Sequence, residues 1–259
     1  MRRNSMRILK ERSVIRISGP DAATWLDGLV TSTLDQTAFN QGLVYTALLT
    51  PQGKYRADFL IARIDADNLL CDHHNGLTDD LLHAFKRYRL RLPIHIEQTD
   101  LAVIWDNHGY QDPRHPALGY RRYEAASSCL SAGDEVLGDQ EFQACCYDYS
   151  IPQSIDFMAA IPFWLETDPI SYHGINFSKG CYIGQEVTAR MYHKANIRKK
   201  FVVLEDIDPD MSTQLVDIEG RHAGLVTSRL DKRAMAYIHI DRAVDGLWCD
   251  GRSVNMVST

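Results

Sequence analysis

The chain lacks an excess of positive charge: 34 acidic residues stand against 28 basic ones, a formal −6 at pH 7. That balance argues against broad, sequence-independent binding of nucleic acid as its main activity, leaving room only for a local basic patch. No apolar run approaches the roughly 20 residues of a membrane span, so no transmembrane helix is expected. The six cysteines, at 71, 129, 145, 146, 181 and 249, include no C-x-x-C pair, which leaves out the usual zinc and redox spacings. The basic start, Met1 to Lys10, is followed by no apolar core of about 7–15 residues, so no secretory signal is read there. The expected place is the cytosol, with reduced thiols. A basic, acid-poor start also suits a short presequence, which keeps the mitochondrial matrix as the alternative. Internal repeats and low-complexity tracts are absent as well.

What is there is ordinary globular composition, 45% hydrophobic and 24% charged over 259 residues, enough for two or three compact units with real cores. Ser13–Ile17 reads as a strand, and Gly19-Pro20 turns into a helix over 22–26 that Asp21 is placed to cap. Val44–Leu49 and Tyr55–Ile61 flank Thr50-Pro51-Gln52-Gly53-Lys54, the pattern of a hairpin. A strand at 68–71 precedes a helix over 78–90 with Leu81, Leu82, Phe85 and Tyr88 on one face. Leu101–Trp105 is another strand, and the His, Pro, Asp and Gly of 107–119 mark a loop or domain seam. Helical pieces broken by proline run from 151 to 169. From 200 onward, short apolar runs alternate with Gly220, Gly224, Gly246 and Gly251, as in a small antiparallel barrel. Strands separated by helices early and strands alone late make the class α+β with an all-β cap. Cys71, Cys129 and Cys249 read as small buried hydrophobes. Adjacent Cys145 and Cys146, taken as extended, point to opposite faces, one buried and one exposed.

The most informative run is Lys179-Gly180-Cys181-Tyr182-Ile183-Gly184-Gln185-Glu186. Here a cysteine lies beside a lysine, between two glycines, ahead of a helix-like stretch through Tyr192. Positive charge and helix-start N–H groups stabilise a thiolate. Gly180 and Gly184 let backbone approach a bound molecule. Gln185 and Glu186 either bind a ligand or occupy the first helical turn. Arg190, four residues after Glu186, either pairs with it or meets an anionic ligand.

These residues resemble a known family. The octet matches K-G-C-Y-x-G-Q-E, the signature of the YgfZ family, relatives of the folate-dependent aminomethyltransferase (T-protein) of glycine cleavage. Gly19-Pro20-Asp21-Ala22 with Leu26 is similar to the family's opening helix, and Leu49 to Lys54 to its L-D-x-x-G-K hairpin. Asp112-Pro113-Arg114 with Leu118-Gly119-Tyr120-Arg121 resembles its D-x-R-x-x-x-L-G-x-R loop. Gly174-Ile175-Asn176-Phe177-Ser178 stands before the octet as G-I-S-F-x does in the family.

The resemblance implies a three-domain ring around a central channel. It divides the chain into a discontinuous α+β folate-binding domain of residues 1–42 and 108–196, a second α+β domain of 43–107, and a C-terminal barrel of 197–259. It implies tetrahydrofolate as cofactor and a part in assembling or repairing iron–sulfur clusters in client enzymes, tRNA-modifying ones among them. The implied partners are iron–sulfur scaffold or A-type carrier proteins and the clients, with no direct nucleic-acid contact and no membrane. Cys181 is the acting residue. Lys179, Gly180, Tyr182, Gly184, Gln185, Glu186, Arg190 and Asp148 are the residues placed on the cofactor, Asp148 because Tyr147 to Pro152 is the nearest match to the T-protein's E-x-G-x-P-like stretch. Asp79 falls near a second T-protein acid, and Phe163 and Trp164 form core, pocket wall or partner surface. No residue is assigned to a resident metal.

One cysteine cannot hold a cluster that takes four protein ligands, so Cys181 acts with a partner's thiols, as a transient ligand, or as a redox centre. Three readings stay open: an assembly factor that needs Cys181 and has no turnover of its own, a true aminomethyltransferase, and a folate-binding regulatory module.

Overall fold

The computed structural model describes residues 7–39, 42–129, 137–195 and 197–257; residues 1–6 of the basic start lie outside them. The expected hairpin forms, Val44–Leu49 pairing antiparallel with Tyr55–Arg63. Its turn is closed by Thr50 N–H to the Lys54 carbonyl and Gly53 N–H to the Thr50 carbonyl, both 2.9 Å, with Gly53 at φ 73°. Every residue of Val44–Leu49 is buried, as is all of Tyr55–Arg63 except Arg56 and Arg63. Strands of that kind are covered on both faces. Phe59 meets Phe85 of helix Thr78–Arg89 edge-on at 5.9 Å, and Tyr55 meets Phe157 of helix Ser154–Ala160 at 5.2 Å. On helix Thr78–Arg89 the buried stripe is Leu81, Ala84 and Phe85, with Leu82 and Tyr88 at its edge.

This antiparallel sheet has the order Val44–Leu49, Tyr55–Arg63, Asn68–His74, Arg12–Ser18, His95–Gln98. A second sheet runs Leu137–Gly138, Arg7–Ile8, Leu101–Asp106, Tyr120–Ala125, Tyr110–Gln111. Arg12–Ser18 pairs along its whole length with Asn68–His74, and Leu101–Asp106 with Tyr120–Ala125. Divisions at 42/43 and 107/108 therefore cut through hydrogen-bonded sheets. The stretch 107–119 lies within the second sheet: it carries the edge strand Tyr110–Gln111 and a short helical turn at Pro116–Leu118, with Asp112, Arg114 and Leu118 buried.

Lys199–Glu205, Arg233–His239, His222–Leu230, Gln214–Val216, Leu247–Cys249 and Arg252–Met256 close into the expected six-stranded barrel. Its own core includes Leu204, Leu215, Val226, Ala236 and Leu247. The barrel docks through specific contacts: Phe201 lies 5.4 Å from Phe157, and the hydroxyls of Thr227 and Ser228 donate to the buried Asp156 carboxylate at 2.6 and 2.5 Å. Burial pushes the Asp156 carboxyl up, opposed by those donors.

Two local expectations are corrected. Asp21 precedes helix Ala22–Asp27 but sits at φ 62° and makes no side-chain cap. Cys145 and Cys146 lie in helix Asp139–Asp148, so helical rotation, not strand alternation, buries Cys146 and leaves Cys145 at the edge. Cys71, Cys129 and Cys249 are buried as expected.

Candidate functional site

The octet forms a turn pinned to a loop far away in sequence. Thr31 donates its hydroxyl to the Gly174 carbonyl at 2.7 Å, the Asn176 N–H meets the Thr31 carbonyl at 2.9 Å, and the Asn176 amide meets the Thr33 hydroxyl at 2.7 Å. Lys179 completes the stitching. Its ammonium donates to the carbonyls of Asp27 at 2.7 Å, Val30 at 2.9 Å and Ser32 at 2.8 Å, with the Asp27 carboxylate at 3.3 Å and its own side chain 2% exposed. An ammonium has three N–H donors, and all three are spent on carbonyls. Burial pulls its pKa down, with Asp27 acting the other way. Lys179 thus fixes the turn and has no donor left for a thiolate or a ligand at Cys181.

Above this anchor the chain is open. A Cβ on Gly180 would meet nothing within 4 Å, and Cys181 is exposed. Tyr182 turns inward, its ring 5.7 Å from the Lys179 ammonium. The Tyr182 hydroxyl is buried with no hydrogen-bond partner among the described residues, while the neighbouring Thr188 hydroxyl donates to the Gly184 carbonyl at 3.0 Å. Burial takes the Tyr182 pKa up to about 12. Gly184, at φ 84°, starts helix Gln185–His193 and presses on the hairpin turn, where a Cβ would stand 2.6 Å from the Thr50 carbonyl. Its glycine is required by that contact. Gln185 donates to the Gly180 carbonyl at 3.4 Å. Glu186 and Arg190 pair with each other at 2.6 Å, 82% and 61% exposed.

Other candidate residues lie elsewhere. Asp148 ends helix Asp139–Asp148 and pairs with Arg233 of the barrel at 2.6 Å. Asp79 is exposed in the first turn of its helix, and its neighbour Asp80 holds Arg56 through two bonds of 2.7 and 2.8 Å. Trp164 is buried and donates its indole N–H to the Gly174 carbonyl at 3.1 Å, while Phe163 packs beneath the Lys54 ammonium at 5.5 Å.

A cavity of about 720 Å³ adjoins the pinned loop, lined by Ser32, Thr33, Tyr45, Arg114, His173 and Asn176 among others. Behind it lies a buried ionic network. Arg114 grips Asp112 at 2.7 and 2.9 Å, Arg121 bridges Asp112 at 3.2 Å and Asp72 at 2.8 Å, and Arg12 reaches Asp72 at 2.6 Å. Burial alone would raise the Asp112 carboxyl, yet Arg114 and Arg121 hold it down at about 2. Tyr45 and Tyr55 both donate to Asp58, at 3.1 and 2.8 Å, and the Arg114 guanidinium lies 5.2 Å over the Tyr45 ring. Asp112, Arg114 and Arg121 were legible as a motif loop, but not as a charged wall. Asp58 and Asp72, acids inside apolar strands, were the signal passed over. Three further cavities, of about 740, 440 and 370 Å³, lie against the barrel, and no octet residue lines any of the four. Among the described residues, no group of three His, Cys, Asp or Glu side chains is placed to hold a metal ion.

No family model matches the chain. It is similar to the mitochondrial iron–sulfur cluster assembly factor IBA57 homolog of Mycosarcoma maydis, 29% identical over 245 residues, covering 79% of this chain and 61% of that protein. The human mitochondrial assembly factor IBA57 is 25% identical over 237 residues, covering 78% of this chain and 66% of that protein. The chain thus spans about three fifths to two thirds of the length of these curated relatives. The glycine cleavage aminomethyltransferase T of Bartonella henselae superposes with a TM-score of 0.69 over 98% of this chain and 84% of its own, at 13% identity. That likeness establishes the α+β fold of the T-protein with its terminal barrel, while the IBA57 homologues bear out the family resemblance carried by the octet.

Proposed function

We propose that this chain, a relative of the IBA57 assembly factors, is an accessory factor for iron–sulfur cluster assembly or repair in client enzymes, working through Cys181. The carrying observation is one exposed thiol on an open turn whose base is locked by Lys179. In this reading the cluster is cargo. Cys181 loses its proton and supplies one thiolate to an iron, and the other ligands come from a scaffold or A-type carrier protein, since four are ordinarily needed. Gly180 leaves space for the partner, and Tyr182 holds the turn from below. The names of the relatives support the cluster role. They are named mitochondrial, which supports the matrix over the cytosol if the chain is eukaryotic. The tRNA-modifying clients rest on the family resemblance alone.

Tetrahydrofolate belongs to this proposal as cofactor, and the 720 Å³ cavity fits it in size, within the roughly 300–1,000 Å³ of small-molecule sites. Tyr45 and Ile175 offer apolar wall for a pterin, and Asn176, His173 and Arg114 offer polar groups. Bound there, the cofactor would supply a one-carbon carrier or a signal of its availability. Asp148, Glu186 and Arg190 are occupied by ion pairs and have no part in that pocket.

The test is a strain in which Cys181→Ala replaces the natural chain. The proposal expects loss of iron–sulfur client activity, with unchanged melting temperature and unchanged tetrahydrofolate affinity of the purified variant. Normal client activity would sink it, and aminomethyl transfer to a lipoyl carrier by the purified chain would establish an enzyme in its place.

A further inference from the structure

The chain is acidic overall, yet one cavity is not. The space of about 440 Å³ between the hairpin turn, the segment at 160–166 and the barrel is lined by Lys54, Arg198, Lys199 and Arg242, against only Glu166 and Asp241. The cations come from three separate stretches: Lys54 from the end of the hairpin turn, Arg198 and Lys199 from the entry to the barrel, and Arg242 from the loop after strand Arg233–His239. Convergence of like charges costs folding free energy and is unlike a solvated run on one helix face.

Hydrogen bonds with neutral groups orient these side chains and leave their charges in place. Glu166 accepts the Phe163 N–H at 2.9 Å and the Tyr237 hydroxyl. Arg242 gives one N–H to the His222 carbonyl. The Lys54 and Lys199 ammonium groups rest over aromatic rings, 5.5 Å from Phe163 and 5.1 Å from Tyr237, and no ion pair holds either of them among the described residues. The rings hold the two ammonium groups without neutralising them.

We infer that this cavity binds a small phosphorylated anion with at least two negative charges. Two ammonium groups brought by separate elements suit the spread oxygens of a phosphate group, which lysine binds as a point charge. The cavity holds more than one phosphate group, so a diphosphate is the fitting class. The site is independent of Cys181 and of the cluster reading. It does share the hairpin turn with the cysteine turn: a Cβ on Gly53, next to Lys54, would stand 3.1 Å from Val187 of helix Gln185–His193.

The probe is inorganic pyrophosphate, titrated calorimetrically into the whole chain at low ionic strength. Expected is one site per chain, weakened by added salt and weakened about tenfold in Lys54→Met/Lys199→Met, which keeps the packing on both rings while removing two charged donors. Lys54 is exposed on a turn, so Lys54→Met alone is the check should the double variant fold poorly, and it should lose several-fold. Absence of binding, or equal affinity in the variants, overturns the inference. So does citrate binding as tightly as pyrophosphate, or an acidic polypeptide displacing pyrophosphate at lower concentration, since the site would then read charge alone or a protein partner.

Discussion

The Lys179 ammonium donates to the Ser32 carbonyl at 2.8 Å across 147 residues of chain. With its bonds to Asp27 and Val30 it turns a lysine beside a cysteine, which invites reading as a thiolate activator, into the anchor of the turn that presents Cys181. Removing that donor set by Lys179→Met leaves three carbonyls to find other partners. The expected cost is about 2–4 kcal/mol, seen as a lower midpoint in chemical unfolding, and faster proteolysis near residues 27–33. An unchanged midpoint would mean the loop does not depend on this lysine.

The two octet glycines should separate cleanly. Gly184→Ala places a Cβ 2.6 Å from the Thr50 carbonyl at a positive φ, so about 1–3 kcal/mol of stability is lost. Gly180→Ala meets nothing within 4 Å and should stay within about 0.5 kcal/mol of the parent. A larger cofactor or partner at the turn would still feel the second change. Thermal melts of both variants read the difference.

How much of this was legible in the sequence depends on where each residue's partners lie. The hairpin was readable because Thr50 to Lys54 close it locally, and the barrel because its turns recur along one stretch. Asp148 was not readable: its partner Arg233 lies 85 residues away, and a short motif match cannot show that its carboxylate is already engaged. Cys145 and Cys146 were given the wrong periodicity for want of a local helix signal. Asp112 and Arg114 were seen as a signature, but their burial against Arg121 and Asp72 is a property of two sheets meeting. Tyr45 hid for the same reason, as one more apolar residue in a buried strand.

The buried network sets acid stability. The Asp112 pKa is lowered in the folded chain to about 2 from 3.8, and that of Asp72 is lowered too. A depressed carboxyl stabilises above its unfolded pKa, and the contribution is lost as pH falls through the folded one. Stability should therefore drop between about pH 4 and pH 2, by about 2 kcal/mol from Asp112 alone. The raised Asp156 and Glu11 carboxyls act above that window, adding stability as pH falls toward their unfolded values. Asp112→Asn, which leaves Arg114 and Arg121 short of a charge, should remove much of that pH dependence while lowering stability at pH 7. Denaturant midpoints measured across that range check the sign.

Tyr45 and Asp148 divide the ligand question. Tyr45→Leu removes a ring from the 720 Å³ cavity and should weaken tetrahydrofolate about tenfold. Asp148→Asn breaks only a half-exposed pair with Arg233 and should leave affinity unchanged and stability within about 1 kcal/mol. Calorimetric titration of both variants gives the answer, and the reverse pattern would return Asp148 to the pocket.

The role of Cys181 is tested most directly by anaerobic reconstitution of the chain with iron, sulfide and an A-type carrier, followed by absorption and Mössbauer spectra of the purified complex. Expected is a cluster held between the two proteins that forms with the parent chain and fails with Cys181→Ala. A cluster of the same yield and spectrum with Cys181→Ala, or one held by this chain alone, would contradict it.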